Sequence, residues 1–216
     1  MDPISFLFWR FYYFFRDPKR EIPSGKVIVA PADGYIIYIK EVLKGEHPVP
    51  EKKGVCLSLE EWLGTKVFEG EGYLVGIYMT PLSVHFNRAP IAGLIKKVIS
   101  KPAEHENFSM AKVMMRLFWG MKPYEEGSRY ITKNARNTTV IEGDFPVATI
   151  QIADRYVNQV DSFVKEGQRV EKGQKIGMIR MGSQCDLFLP KNGKLQLKCA
   201  VGDKVFAGKS ILAEYE

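Results

Sequence analysis

The chain has 216 residues, 45% hydrophobic and 26% charged, which is room for one well-filled domain with a small appendage. Its formal charge of +6 suits an anionic surface, but the basic residues are spread along the chain without a recognition motif, which argues against nucleic acid. Cys56, Cys185 and Cys199 have no paired spacing, which points to a reducing compartment, and no His, Cys and carboxylate cluster has the spacing of a metal site.

Residues 4–15 read ISFLFWRFYYFF, with eight aromatic residues in twelve. A membrane span needs about 20 apolar residues, so this run is too short, and Arg10 interrupts it. It has neither a basic start nor a small-residue cleavage site, so it does not read as a removed signal peptide. RDPKR follows directly and sets Arg16, Lys19 and Arg20 beside the rings. Rings at headgroup depth with cations against anionic lipid suit a bilayer interface, so residues 1–20 are expected to form an interface segment. The competing expectation is a helix packed on the protein's own core or on another chain.

From residue 26 the texture turns to β. KVIVAPADGYIIYIKEV (26–42) predicts strand, turn and strand, punctuated by Pro31 and Gly34. YLVGIYMTPLSVHFNRAP (73–90) repeats the idea with a stop at Pro81, and IAGLIKKVIS (91–100) reads as a further strand. Alternation then disappears. Residues 105–130 carry Met110, Met114, Met115, Leu117, Phe118, Trp119 and Met121, which predicts a helix with a broad apolar face ended by Gly120 and Pro123. That helix either covers the sheet or touches a membrane beside residues 4–15.

Near the C-terminus, FVKEGQRVEKGQKIGMI (163–179) and CAVGDKVFAGKSILAEY (199–215) share a spacing of Val, Gly, Val, Gly and Ile. Each glycine closes a tight turn between short strands. The spacing resembles the hybrid hammerhead of barrel-sandwich folds. The expected architecture is therefore mainly β (α+β), a barrel-sandwich hybrid-like core with a few covering helices.

Three stretches set reactive groups in awkward places. In APADGY, Asp33 precedes Gly34 and reads most simply as a turn residue. In PLSVHFNRAP, His85, Asn87 and Arg88 lie between prolines; His85 is either a hydrogen-bonded core residue or a group with a shifted pKa. In KIGMIRMGSQCDLFLP (175–190), Gly182 and Ser183 separate two apolar strand-like runs, which is the pattern of a β-bulge or of something less ordinary. In their order and spacing, FFRDPKREIP, PADG, VHFNRAPIAG and IRMGSQCDLFLP resemble a short-form phosphatidylserine decarboxylase proenzyme. The likeness runs from about residue 14 to the C-terminus, with residues 101–130 the least matched.

The resemblance implies self-cleavage between Gly182 and Ser183, giving a β chain of residues 1–182 and an α chain of residues 183–216. Ser183 attacks the preceding carbonyl, and elimination and hydrolysis turn it into a covalent pyruvoyl group. A small residue before the serine permits that close approach. The pyruvoyl carbonyl then forms a Schiff base with the substrate amine and accepts the electrons released with carbon dioxide. His85 is expected to return a proton to the former α-carbon, and Asp33 to help activate Ser183. Arg88, beside Asn87, is expected to grip the substrate's carboxylate or phosphate. Residues 21–216 would form the decarboxylase domain, peripheral on the cytoplasmic face of the cell membrane, with residues 108–121 as a second contact and self-association left open.

Three departures stand out. Arg88 occupies the place of a second histidine found in longer bacterial relatives, Ala135 replaces Glu in NARN (134–137), and Gln184 follows the serine. The lipid tails, fatty-acyl or isoprenoid, are not specified. The alternative from a different class is an uncut lipid-binding or barrel-sandwich carrier module. MIRMGSQCDL lacks the lysine such a carrier displays, and His85 has no second histidine near it for a phosphocarrier.

Overall fold

The structure is a computed structural model that describes every residue except 1, 3–6, 9–11, 44–48, 51–55, 58–59, 61–62, 64, 66–67, 69–70, 104–105, 156, 158–159, 181–182 and 192. Gly182 and much of the aromatic run at 4–15 therefore lie outside the described residues. After a 3₁₀ turn at Tyr13–Phe15, the chain forms β1 (Val27–Val29) and β2 (Gly34–Val42), a short pair β3 (Val49–Pro50) and β4 (Cys56–Leu57), and β5 (Gly72–Met79). A second series follows: β6 (Phe86–Arg88), β7 (Gly93–Lys101), helices α1 (Ala111–Phe118) and α2 (Tyr130–Lys133), β8 (Arg136–Glu142), β9 (Pro146–Ala153), β10 (Val160–Ser162), β11 (Arg169–Val170) and β12 (Lys175–Ile179). The chain ends with β13 (Ser183–Pro190), β14 (Leu195–Leu197), β15 (Lys204–Val205) and β16 (Ile211–Tyr215).

Eight strands form one sheet in the order β11-β7-β8-β9-β13-β5-β2-β15, and two smaller sheets run β1-β16-β14 and β10-β12-β6. The architecture is the expected mainly β one, and its order reads the same from both ends. β15, β2, β5 and β13 on one side correspond to β11, β7, β8 and β9 on the other, with β1, β16 and β14 matching β6, β12 and β10. Sequence supports the correspondence. APADGYI (30–36) and APIAGLI (89–95) share Ala, Pro, Gly and Ile in register. Gly202 N–H donates to Ile36 O at 2.8 Å as Gly167 N–H donates to Ile95 O at 2.9 Å. Gly208 N–H reaches Ala30 O as Gly173 N–H reaches Ala89 O, both at 2.8 Å. The C-terminal glycine echo is thus half of a larger internal repeat, a pairing the 30–36 stretch did not suggest by itself.

The second copy, β6–β12, is inserted into the first, between β5 and β13. In the inserted copy β8 turns directly into β9, with Glu142 opposite Pro146. In the host copy Tyr78 stands opposite Gln184 in the same register, and Ser183 takes the place that Phe145 holds in the hairpin loop. Ser183 therefore sits where the host hairpin was opened to admit the insertion.

Period-2 alternation divides the side chains of β13 between two cores. Cys185, Leu187 and Leu189 join the cluster toward the small sheets, and Phe188 joins the cluster under the helices. In the helical region, Met110, Val113, Tyr130 and Ile131 face inward over Ile150, Ile152 and Phe188. The expected helix is present, and Gly120 at φ 64 ends it. Its other face exposes Met115, Phe118 and Trp119, so it covers the sheet and also presents rings outward. At the N-terminus Phe14 is buried, whereas Leu7, Phe8, Tyr12 and Phe15 are exposed. Among the described residues, no helix is long and apolar enough to cross a membrane.

The equivalence of the two copies makes a stability prediction. A Cβ on Gly34 would stand 2.1 Å from Tyr78 O, and one on its counterpart Gly93 2.4 Å from Glu142 O. Gly34→Ala and Gly93→Ala are each expected to lower the urea midpoint by the equivalent of about 2 kcal/mol or more. Gly193→Ala, with open space around it, is expected to stay within about 0.5 kcal/mol of the parent.

Candidate active site

Ser183 begins β13 with Met79 of β5 on one side and Ala153 of β9 on the other. It is fully buried, and its hydroxyl donates to the Met79 thioether sulfur at 3.4 Å, a weak acceptor. The same sulfur receives Asn87 Nδ2 at 3.6 Å. Asn87 Oδ1 in turn accepts from Gln151 Nε2 at 2.8 Å, and Gln151 Oε1 accepts from Asn137 Nδ2 at 3.3 Å. A chain of neutral amides thus crosses the sheet face and ends at Met79 beside the serine.

His85 immediately precedes β6 and is also fully buried. Neither ring nitrogen has a hydrogen-bond partner among the described residues. The ring stacks on Phe14, with centroids 4.2 Å apart and planes at 30°. Burial drives the imidazole pKa down to about 3, the Ser83 backbone compensating only in part and the Arg16 charge adding to the fall. His85 is therefore neutral at physiological pH. A buried, unpartnered imidazole costs free energy unless an incoming group supplies the missing bonds.

Asp33 and Arg88 are drawn elsewhere. Asp33 Oδ2 pairs with Arg20 Nη2 at 2.9 Å, and its Oδ1 accepts from Ala207 N–H at 2.7 Å. Arg88 Nη2 pairs with Asp17 Oδ1 at 2.6 Å, and its Nη1 donates to Gly173 O at 2.7 Å. Burial pulls the Asp17 carboxyl upward, but Lys175 and Arg88 outweigh it and hold the group below the ordinary carboxylate value. The structure brings Ser183 and Asn87 together through Met79. It turns the Asp33 and Arg88 side chains toward the N-terminal segment.

That segment is the feature the sequence reading missed. Phe14 covers His85, Asp17 holds Arg88, Arg20 holds Asp33, and Arg16 donates to Tyr13 O and Leu82 O. Residues 14–20 form a strap across three of the predicted site residues. The charge pattern of RDPKR was visible in sequence, but its partners lie far along the chain.

Behind the serine, on the opposite face of β13, runs a second polar chain. Tyr130 O–H donates to Gln184 Oε1 at 2.5 Å. Gln184 Nε2 donates to the Tyr38 phenolic Oη at 2.8 Å and to Asp186 Oδ1 at 2.6 Å, and Tyr38 O–H donates to Asp186 Oδ2 at 2.6 Å. Burial pushes the Asp186 carboxyl up to about 7, against the pull of Tyr38 and Gln184. These bonds exist in only one register of β13, so they pin the strand that starts at Ser183. Gln184, unusual in sequence, is a keystone of that chain. Ala135 is buried on the other side of the sheet: its carbonyl accepts from the N–H of Ala153, the strand partner of Ser183, at 2.9 Å.

Comparison with known proteins agrees with this geometry. The sequence model of the family described as phosphatidylserine decarboxylase matches residues 7–213. The chain is 37% identical over 203 residues to a protein of Methanocaldococcus jannaschii provisionally named an archaetidylserine decarboxylase proenzyme, covering 93% of this chain and 87% of that one. A Methanothermobacter thermautotrophicus protein with the same provisional name is 36% identical over 206 residues, covering 94% and 79%. The phosphatidylserine decarboxylase proenzyme of Novosphingobium aromaticivorans is 31% identical over 214 residues, covering 98% and 75%. With a match across nearly its whole length, and a buried Gly-Ser serine at the head of its central strand, the chain belongs to the phosphatidylserine decarboxylase family.

Proposed function

We propose that the chain is a proenzyme that severs its own Gly182–Ser183 bond and then decarboxylates the serine headgroup of a phosphatidylserine- or archaetidylserine-type lipid. One observation carries the reading: Ser183 is buried at the head of a strand paired on both sides, at the point where a hairpin has been opened. The hydroxyl, held by a thioether alone among the described residues, gives up little when it turns toward the preceding carbonyl.

In maturation Ser183 Oγ adds to the Gly182 carbonyl carbon as the peptide C–N bond breaks, and the released nitrogen takes the hydroxyl proton. Elimination removes the Ser183 α-proton and expels Gly182 as a carboxylate, leaving dehydroalanine. Its imine tautomer adds water and loses ammonia, so residue 183 becomes a pyruvoyl group. The apolar, fully buried setting between Met79 and Ala153 suits that small ketone, which supplies the electron sink for the pair released with carbon dioxide.

The remaining work falls to this chain's side chains. As a neutral ring with one N–H and one lone pair, His85 can pass a proton to the former α-carbon while taking another. Asn87 supports Met79 beside the reacting residue. Arg88 suits an anionic group of the substrate once that group displaces Asp17, and Asp33 can act on Ser183 only when the Arg20 pair opens. Residues 21–216 are the decarboxylase domain, and residues 1–20 an interface segment.

Lipid as substrate requires contact with a bilayer. The exposed Phe8, Tyr12, Phe118 and Trp119 suit a peripheral contact, and the free Cys185 and Cys199 suit the reducing, cytoplasmic side. Phe118→Ser with Trp119→Ser is expected to weaken co-sedimentation with anionic vesicles while leaving the cut intact; undiminished binding would remove α1 from the contact.

Denaturing electrophoresis with intact mass tests the maturation. The wild type is expected as two fragments, the smaller blocked at its N-terminus and reactive toward borohydride. Ser183→Ala is expected as one species of 24.6 kDa. His85→Gln is expected to be cut yet slower in turnover by about 10²-fold or more. An uncut wild type that still turns over lipid overturns the mechanism.

Phe14 adds a pH test. Its ring keeps water from His85, whose folded pKa of about 3 lies below the usual value of about 6.5. Phe14→Ala is expected to hydrate the ring, raise its pKa and move the acid limb of kcat upward in pH. Activity should then fall more at pH 5.5 than at pH 8. An equal loss at both values would make Phe14 a packing residue only.

A further inference from the structure

The strap crosses the candidate site without joining a sheet. Among the described residues, 17–24 make no backbone hydrogen bond, so side chains alone hold the crossing. Its fixed end is Ile22. Gly173 and Gly208, equivalent turn glycines of the two copies, leave room for that side chain: a Cβ on the first would stand 2.4 Å from Ile22 Cδ1, and one on the second 2.9 Å. Just past Ile22, Lys172 Nζ donates to Gly25 O at 2.8 Å and β1 begins.

The other end carries Phe14, buried against His85. Phe15 meets Phe14 edge-on, with centroids 5.5 Å apart, and is itself exposed, as is Tyr12 before it. Between the two ends Asp17 is clamped by two cations, Arg88 Nη2 on Oδ1 at 2.6 Å and Lys175 Nζ on Oδ2 at 3.0 Å. The Arg20–Asp33 pair is a second tie. Asp17 and Lys175 are partly open to solvent, and ion pairs of that kind contribute little to stability. A segment wedged at one end, tied by such pairs in its middle and ringed with exposed aromatics at the other can swing out without breaking a strand pairing. When it does, His85 loses the ring that covers it, and both of its nitrogens lack partners.

We propose that residues 14–20 are a lid over His85, hinged at Ile22 and latched by Asp17 between Arg88 and Lys175, which a bilayer surface draws open to admit the lipid headgroup. The identity of what is admitted rests on the function proposed above. A surface that binds the open form better shifts the population toward it. Tyr12 and Phe15 are the groups that gain by burial in lipid, and the edge contact of Phe15 with Phe14 carries their movement to the ring on His85.

Labelling of His85 by diethylpyrocarbonate, read by peptide mass mapping in full-length Ser183→Ala protein, tests the lid. Neither cleavage nor turnover enters, so the result stands whatever becomes of the proposed chemistry. In solution His85 is expected to be nearly unreactive, because its ring is fully buried. Vesicles of phosphatidylcholine and phosphatidylglycerol, which hold no serine headgroup, are expected to speed labelling about five-fold or more. Asp17→Asn is expected to speed it as much without vesicles, and Tyr12→Ser with Phe15→Ser to remove most of the vesicle effect. Labelling that vesicles leave unchanged overturns the lid, as does an Asp17→Asn rate equal to the parent's. Cys185, fully buried, is expected to stay closed to iodoacetamide throughout. If Asp17→Asn exposes it, Lys175→Gln takes the place of that variant, with the same two outcomes. In the self-processed enzyme, Asp17→Asn is expected to raise kcat/KM for soluble glycerophosphoserine about five-fold, and an unchanged value overturns the latch. An enzyme inactive on that substrate and on phosphatidylserine overturns the chemistry alone.

Discussion

The two-sided pairing of β13 is the constraint on which the molecule depends. Eight of its residues are in register with β5 and six with β9, and Ser183 is the first of them on both sides. The buried chain from Tyr130 through Gln184 and Tyr38 to Asp186 adds a lock against slippage, because shifting the strand by one residue would carry those groups into the apolar core on the other face.

Around that strand the two copies of the repeat have diverged by one topological event. In the inserted copy a tight turn joins β8 to β9. In the host copy the equivalent turn was replaced by an entire β6–β12 unit. The insertion brings His85 and Asn87, which begin it, to the same sheet end as Ser183, which follows it. Residues about a hundred positions apart in sequence become neighbours through Met79 because both sit at the seam.

The strap of residues 14–20 lies across that seam. Phe14 excludes water from His85, and Asp17 and Arg20 neutralise two charged groups that would otherwise be poorly solvated. The same short segment continues into rings exposed to the outside. Exposure at one end and contact with the candidate site at the other link that aromatic surface to the electrostatics of the interior.

Much of the architecture was legible along the chain. Alternating β-branched and aromatic residues mark strands, and glycines at positive φ, such as Gly167 and Gly202, mark tight turns whatever surrounds them, because their signal is local. The reactive stretches around Asp33, His85 and Ser183 were visible for the same reason, and so was the aromatic face of α1. Which partner each charged side chain takes was not legible. Asp33 meets Arg20, and Arg88 meets Asp17 71 positions away, through contacts that only the folded chain creates. Residue order by itself determined the strand texture, the turn glycines and the placement of a serine after a glycine. Tertiary structure alone decided that this serine heads a central strand, that His85 is dry and neutral, and that the N-terminal strap holds its neighbours, since burial and long-range pairing depend on distances in space.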